Sequence, residues 1–175
     1  MANLPPTYGS SFFDLYDFNG DGFEDIIYTA GDNADYDPIA KPYHGIRVYI
    51  NDGTNHFKES FFYPLNGAYK AIPSDFDNDG DIDIAAISFF PDYENSPEES
   101  FVYLENKGDM NFDAFTFSGS ADGRWMAMDA GDMDGDGDLD LLLGSMIFGT
   151  DYTRFFEKWS DGTLPFAWLE NTSGN

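Results

Sequence analysis

The sequence predicts an all-β chain made of three tandem four-stranded units, and three observations carry that reading. An aspartate-rich loop occurs three times, as "DFNGDGFEDIIY" from Asp17, "DFDNDGDIDIAA" from Asp75 and "DMDGDGDLDLLLG" from Asp132, spaced 58 and 57 residues apart. Each loop runs straight into an apolar stretch: "DIIYTAG", "DIAAISFF" and "DLLLGSMIF". After an insert of variable length comes a second apolar stretch ending in asparagine: "IRVYIN" to Asn51, "FVYLEN" to Asn106 and "FAWLEN" to Asn171. Recurrence at a fixed period of this length marks a repeat architecture.

Taken in order, "SSFFDLY" is the strand that enters the first loop, and "AYKAIPS" and "RWMAMDAG" play that part for the second and third. The apolar stretch after each loop is the second strand, and the one ending in asparagine is the third. A fourth follows a short turn in two units, as "HFKESFFY" and "NFDAFTF"; nothing comparable is evident after "WLENTSGN". The runs are short, partly alternating, and separated by Gly, Asn and Asp turns, and no helix-length amphipathic pattern interrupts them.

A four-stranded unit of this length in tandem is the signature of a β-propeller blade. The chain reads as one partial propeller domain, 1–175, with repeats at approximately 8–66, 67–122 and 123–175. Propellers typically have about four to eight blades, and three would leave unpaired edges. The expectation is therefore half, or a fragment, of a six- to eight-bladed ring. Two copies making a homodimeric six-bladed ring is the simplest closed solution.

Composition narrows the function. The chain has 175 residues, enough for one domain with a real core. Its 18% aromatic content suits pleated surfaces and argues against disorder. With 33 acidic residues against 8 Lys and Arg, the formal charge is −25. That argues against nucleic acid or an anionic membrane as partner, because phosphate contacts need clustered cations. The absence of cysteine rules out disulfides, thiolate metal sites and cysteine nucleophiles. No apolar run reaches the length of a membrane span. The opening "MANLPPTYG" has neither the charged n-region nor the apolar h-region of a secretory signal.

The charge is concentrated. With the first aspartate as position 1, positions 1, 3, 5 and 9 are Asp17, Asn19, Asp21 and Asp25; then Asp75, Asp77, Asp79 and Asp83; then Asp132, Asp134, Asp136 and Asp140. Alternate oxygen ligands in a tight loop wrap a hard cation, and position 7 (Phe23, Asp81, Asp138) can add its backbone carbonyl. Position 6 is glycine each time (Gly22, Gly80, Gly137), as a sharp turn with positive φ requires. Converging carboxylates without a cation would repel by about 1–4 kcal/mol per pair. An all-oxygen site favours Ca²⁺ over zinc or copper, and over Mg²⁺, at about three ions per chain. Asn19 leaves the first loop one charge short, so it is expected to bind most weakly. An EF-hand would need an acidic ligand at position 12 and a helix beyond it. Position 12 is Tyr28, Ala86 or Leu143, and strand-like sequence follows.

The three D-x-D/N-x-D-G-x-x-D loops entering aliphatic strands, with "YLEN" and "WLEN", resemble the FG-GAP/VCBS repeats of integrin α-subunit propellers and secreted bacterial proteins. The resemblance covers nearly the whole chain. It implies propeller blades with Ca²⁺ held between the first and second strands of each, and an extracellular, periplasmic or cell-surface setting. It implies no single activity. Members serve in adhesion, in ligand binding, and as scaffolds of some polysaccharide lyases.

A binding face is expected on the inserts between second and third strands, residues 31–45, 91–100 and 147–165, opposite the aspartate loops. Long loops in a compact repeat often carry function. These hold Tyr36, Tyr43, Tyr93, Tyr152, Phe155, Phe156 and Trp159, with Lys41, His44, Arg154 and Lys158. Aromatics beside cations suit a protein or glycan ligand; alternatively they pack the inserts onto the scaffold. Only two histidines exist, His44 and His56. His56 reads as a turn residue and His44 as the one candidate base, so no catalytic constellation emerges. The readings are a calcium-binding extracellular adhesion or binding module, or a scaffold fragment of a carbohydrate-active enzyme. "NTS" at 171–173 is formally a glycosylation sequon and reads as a polar turn.

Overall fold

"DIIYTA" has no polar face, "FKESFFYP" alternates, and this difference decides where each strand lies. The computed structural model describes residues 8–31, 41–146, 159 and 164–173. The first sheet runs β1 (Ser10–Tyr16), β2 (Asp25–Ala30), β3 (Gly45–Asn51), β4 (Phe57–Pro64), each antiparallel to its neighbour. β2 and β3 are central and almost wholly buried, whereas β4 alternates between half-buried and exposed positions. Strands covered on both faces read as continuous apolar runs, and half-solvated ones alternate.

The second sheet repeats the order as β5 (Ala68–Ser74), β6 (Asp83–Ser88), β7 (Phe101–Asn106) and β8 (Phe112–Phe115). The third has β9 (Trp125–Gly131), β10 (Asp140–Ser145) and β11 (Phe166–Leu169), with no fourth strand among the described residues. Short 3-10 turns occupy Pro97–Ser100 and Ser120–Asp122. The fold is the all-β, blade-by-blade architecture that the sequence predicts. Even irregularities recur: the register slips between Ser10 and Phe12 in β1, and between Ala68 and Lys70 in β5.

The sheets stack face to face. Ile27, Ile46 and Val48 of the first meet Ala71, Ile84, Ala86, Val102 and Leu104 of the second. The other face of the second sheet, through Ala85, Ile87 and Phe101, meets Trp125, Met128, Leu141 and Leu143 of the third. Each fully buried Val, Leu or Ile here contributes roughly 1.5–3 kcal/mol. First strands of successive sheets lie side by side, tied by Ser11 Oγ to the Ala68 carbonyl (2.7 Å) and Lys70 Nζ to that of Met128 (2.7 Å). The approach is close enough that a Cβ on Gly31 would lie 2.1 Å from the Ala68 carbonyl oxygen.

Antiparallel order puts the aspartate loops at one end of the sheets and the second-to-third-strand inserts at the other. Of the insert residues named above, Tyr36, Tyr152, Arg154, Phe155, Phe156 and Lys158 lie outside the described residues. Tyr93 and Trp159 are buried against each other, ring centroids 5.3 Å apart, and Trp159 Nε1 donates to the Ala121 carbonyl. Tyr43 stacks on Tyr8 at 4.4 Å. These three aromatics therefore pack the inserts onto the scaffold. His44 is buried, and its Nδ1 accepts the Gly67 N–H at 3.3 Å, which makes it part of the core. His56 is exposed in the β3–β4 turn, 2.9 Å from Thr54 Oγ1.

Candidate metal centres

Each aspartate loop joins the first strand of a sheet to its second, and in all three the first aspartate accepts backbone N–H groups from the turn, though not the same set in each. Asp17 accepts the N–H groups of Gly20 and Gly22, Asp75 those of Asp79 and Gly80, and Asp132 that of Gly135. Position 5 then accepts the N–H of position 7: Phe23 to Asp21 (2.9 Å), Asp81 to Asp79 (2.9 Å), Asp138 to Asp136 (3.2 Å). Between them, Gly22, Gly80 and Gly137 have φ of +86°, +98° and +100°, the left-handed turn the sequence calls for.

Position 9 does something different. Asp25, Asp83 and Asp140 are buried. One carboxylate oxygen of each accepts the N–H of position 2, from Phe18, Phe76 and Met133. The other accepts the N–H of the asparagine ending the third strand, from Asn51, Asn106 and Asn171, at 2.8 Å every time. Those asparagines return the bond: their Nδ2 groups donate to the carbonyls of Glu24, Ile82 and Leu139 at position 8. Their Oδ1 atoms accept the N–H of Gly53, Gly108 and Ser173 two residues on. The sequence shows these asparagines as a repeat landmark and gives no hint of the clasp. Asn171 also donates to the Phe76 carbonyl, so the sequon's amide is committed to the fold.

The loops differ in how far their carboxylates converge. In the second, oxygens of Asp75, Asp77 and Asp83 lie within 4.8 Å of one another; in the third, those of Asp132, Asp134 and Asp136 do. Asp79 and Asp140 stand outside these groups, and among the described residues no three carboxylates of the first loop gather so closely. There, Asn19 Nδ2 donates to Asp21 at 2.9 Å, an amide doing for one carboxylate what a cation would do for several.

Crowding leaves an electrostatic mark. Burial, then the neighbouring Asp83 charge, raises the Asp77 carboxyl above its ordinary range. Asp83 is also raised, by burial that outweighs the N–H donors and the Tyr103 hydroxyl at 2.7 Å. Asp134 is raised although the Asp136 N–H pulls it down, because desolvation and the Asp136 and Asp140 charges push harder. Asp140, in the third sheet, is lowered, chiefly by the Asn171 N–H. Oxygen donors alone, converging with uncompensated repulsion, fit a hard divalent cation. In the second and third loops, these groups would hold it, and it would fix the turn by drawing the carboxylates together.

Comparison with known proteins agrees with this architecture. No curated protein matches the chain. A family model described as FG-GAP-like repeat matches twice, over residues 17–86 and 75–143. Each match begins on the first aspartate of a loop and ends in the second strand of the next blade, so together they run from the first loop to β10. The chain belongs to the FG-GAP-like repeat family.

Proposed function

We propose that this chain is a calcium-binding propeller module for extracellular recognition of a protein or a glycan, each bound Ca²⁺ pinning one blade's loop. The observation that carries the metal reading is the gathering of three carboxylates within 4.8 Å in both the second and the third loop. Extracellular free calcium would fill such sites, at affinities of roughly 10⁻⁴ to 10⁻³ M. Repeats of this family are commonly extracellular, and no described helix is long and apolar enough to cross a membrane. The binding face would be the insert end, opposite the loops.

The two ends of the stack support association. Phe13 and Leu15 on the outer face of the first sheet are 66% and 52% exposed, and Phe166 and Trp168 on the outer face of the third are 61% and 46%. These faces are repeat equivalents of the buried inter-sheet faces, so a second copy packing on both would close a six-bladed ring. Calorimetric titration with CaCl₂ after EDTA treatment tests the metal reading. Calcium-dependent heats and a rise in melting temperature are expected, and an identical Tm in excess EDTA would overturn it. Light scattering tests the ring separately, a dimer mass being expected.

A further inference from the structure

Among positions 1, 3, 5 and 9, only position 3 changes residue type between loops: Asn19 in the first, Asp77 in the second, Asp134 in the third. Gly20 follows Asn19, and a glycine nitrogen has no Cβ beside it to keep it from the asparagine's side-chain carbon. The sequence holds two such Asn-Gly pairs, and the fold treats them oppositely. Asn66–Gly67, between β4 and β5, is locked. Gly67 is buried, its N–H donates to His44 Nδ1, and the Phe90 backbone packs against it so closely that a Cβ would lie 2.6 Å away. Asn19 is exposed to water. The Gly20 N–H donates to Asp17 Oδ1 at 2.8 Å, and Asn19 Oδ1 accepts the Asp21 N–H at 3.1 Å. A carboxylate thus holds the proton that an attacking Gly20 nitrogen must lose. An N–H faces the oxygen on which charge would grow.

We propose that Asn19–Gly20 is a self-modification site, at which the first loop converts its own asparagine to aspartate. The Gly20 nitrogen bonds to Asn19 Cγ and the Cγ–Nδ2 bond breaks. The Gly20 proton passes by way of Asp17 to Nδ2, which leaves as ammonia, and a succinimide ring remains. Water then adds at Cγ and opens the ring, returning the peptide bond and leaving a carboxylate on residue 19. The third loop shows that this product fits. There Asp134 precedes Gly135, whose N–H donates to Asp132 at 2.7 Å, and Asp134 Oδ1 accepts the Asp136 N–H at 3.1 Å. Those are the bonds of the first loop with an acid in place of the amide. The conversion stands apart from the metal reading, but its consequence, a fourth carboxylate for the first loop's cation, rests on it.

Incubation of the folded protein in EDTA at neutral pH, followed by peptide mapping with mass spectrometry, tests the conversion. Asn19 is expected to convert at least about tenfold faster than Asn66, the preference that placement alone can supply. In urea the two should convert alike. Asp17→Asn should slow conversion at residue 19 at least about tenfold, the contribution of a positioned base, while Asn66, still protected, reports that the variant is folded. Retention of the amide at residue 19, or equal conversion of both pairs in folded protein, would overturn the inference. So would isoaspartate as the sole product, which lengthens the main chain where the turn needs aspartate. Calorimetric titration with CaCl₂ then compares converted and fresh protein, and tighter binding is expected after conversion. Conversion with no calcium heat from either sample would uphold the modification and sink the metal reading instead.

Discussion

Asp83 and Asn106, 23 residues apart, are clasped together: the Asp83 carboxylate accepts the asparagine's N–H at 2.8 Å, and the asparagine's amide donates to the carbonyl of the preceding residue, Ile82, at 3.1 Å. The contact joins the end of the aspartate loop to the end of the third strand, and it recurs in all three sheets. Position 9 is thereby a structural residue whatever else it binds.

Asn106→Ala should remove the Nδ2 bond and the Oδ1 bond to the Gly108 N–H, leaving the half-buried Ile82 carbonyl and the Gly108 N–H without those partners. We expect a loss of about 2–3 kcal/mol from two such bonds, read from urea denaturation. The loss should be the same in calcium and in EDTA, because the clasp is protein to protein. A loss seen only in calcium would mean that the asparagine acts through the metal.

The three loops and their following strands were legible because the chemistry that builds them repeats in register: alternate acids, a glycine at position 6, then an apolar run. Strand order followed from the same landmarks. The clasp was not legible, since asparagine and aspartate at strand ends ordinarily signal turns, and only their threefold pairing in space gives them another role. Nor did spacing reveal that the first loop fails to gather its acids as the others do. One amide, Asn19, alters the charge balance there, and the outcome depends on where its Nδ2 points. The insert aromatics were ambiguous because a ring that recognises a ligand and a ring that packs a loop read alike; burial assigns Tyr93 and Trp159 to packing.

The first loop should therefore bind calcium most weakly, and Asn19→Asp should tighten it by restoring the fourth carboxylate. An added charge near the ion is expected to improve affinity by about threefold to tenfold, or roughly 0.7–1.4 kcal/mol. NMR titration following the Gly22, Gly80 and Gly137 amides would resolve the sites. Filling of the first loop ahead of the others in the unaltered protein would overturn the ranking.

Gly31→Ala should be far more damaging than Gly22→Ala. A Cβ at Gly31 meets the Ala68 carbonyl at 2.1 Å and would drive the first two sheets apart, costing about 3 kcal/mol or more. Gly22 has open space around it, so an alanine there meets only the left-handed backbone penalty of about 1–2 kcal/mol. Thermal melts of the two variants should rank in that order, and equal losses would mean that the inter-sheet contact yields.

Glu99 supplies a pH test away from the aspartate loops. It sits in the 3-10 turn before β7, beside a cavity of about 160 Å³ shared with Tyr63 and Val102. Burial raises its carboxyl above the ordinary range, with the Glu98 and Asp92 charges adding to the effect. Below the ordinary glutamate value the group is protonated both folded and unfolded, so it costs nothing. As pH climbs through its raised folded value, the unfolded chain releases the proton more readily than the folded one, and stability is lost. Glu99→Gln removes that loss, so in EDTA the variant should melt about 1–3 °C above the parent at pH 7 and level with it near pH 3. A gain that persists at pH 3 would assign the effect to packing of the amide, and no gain at pH 7 would mean that the carboxylate reaches water.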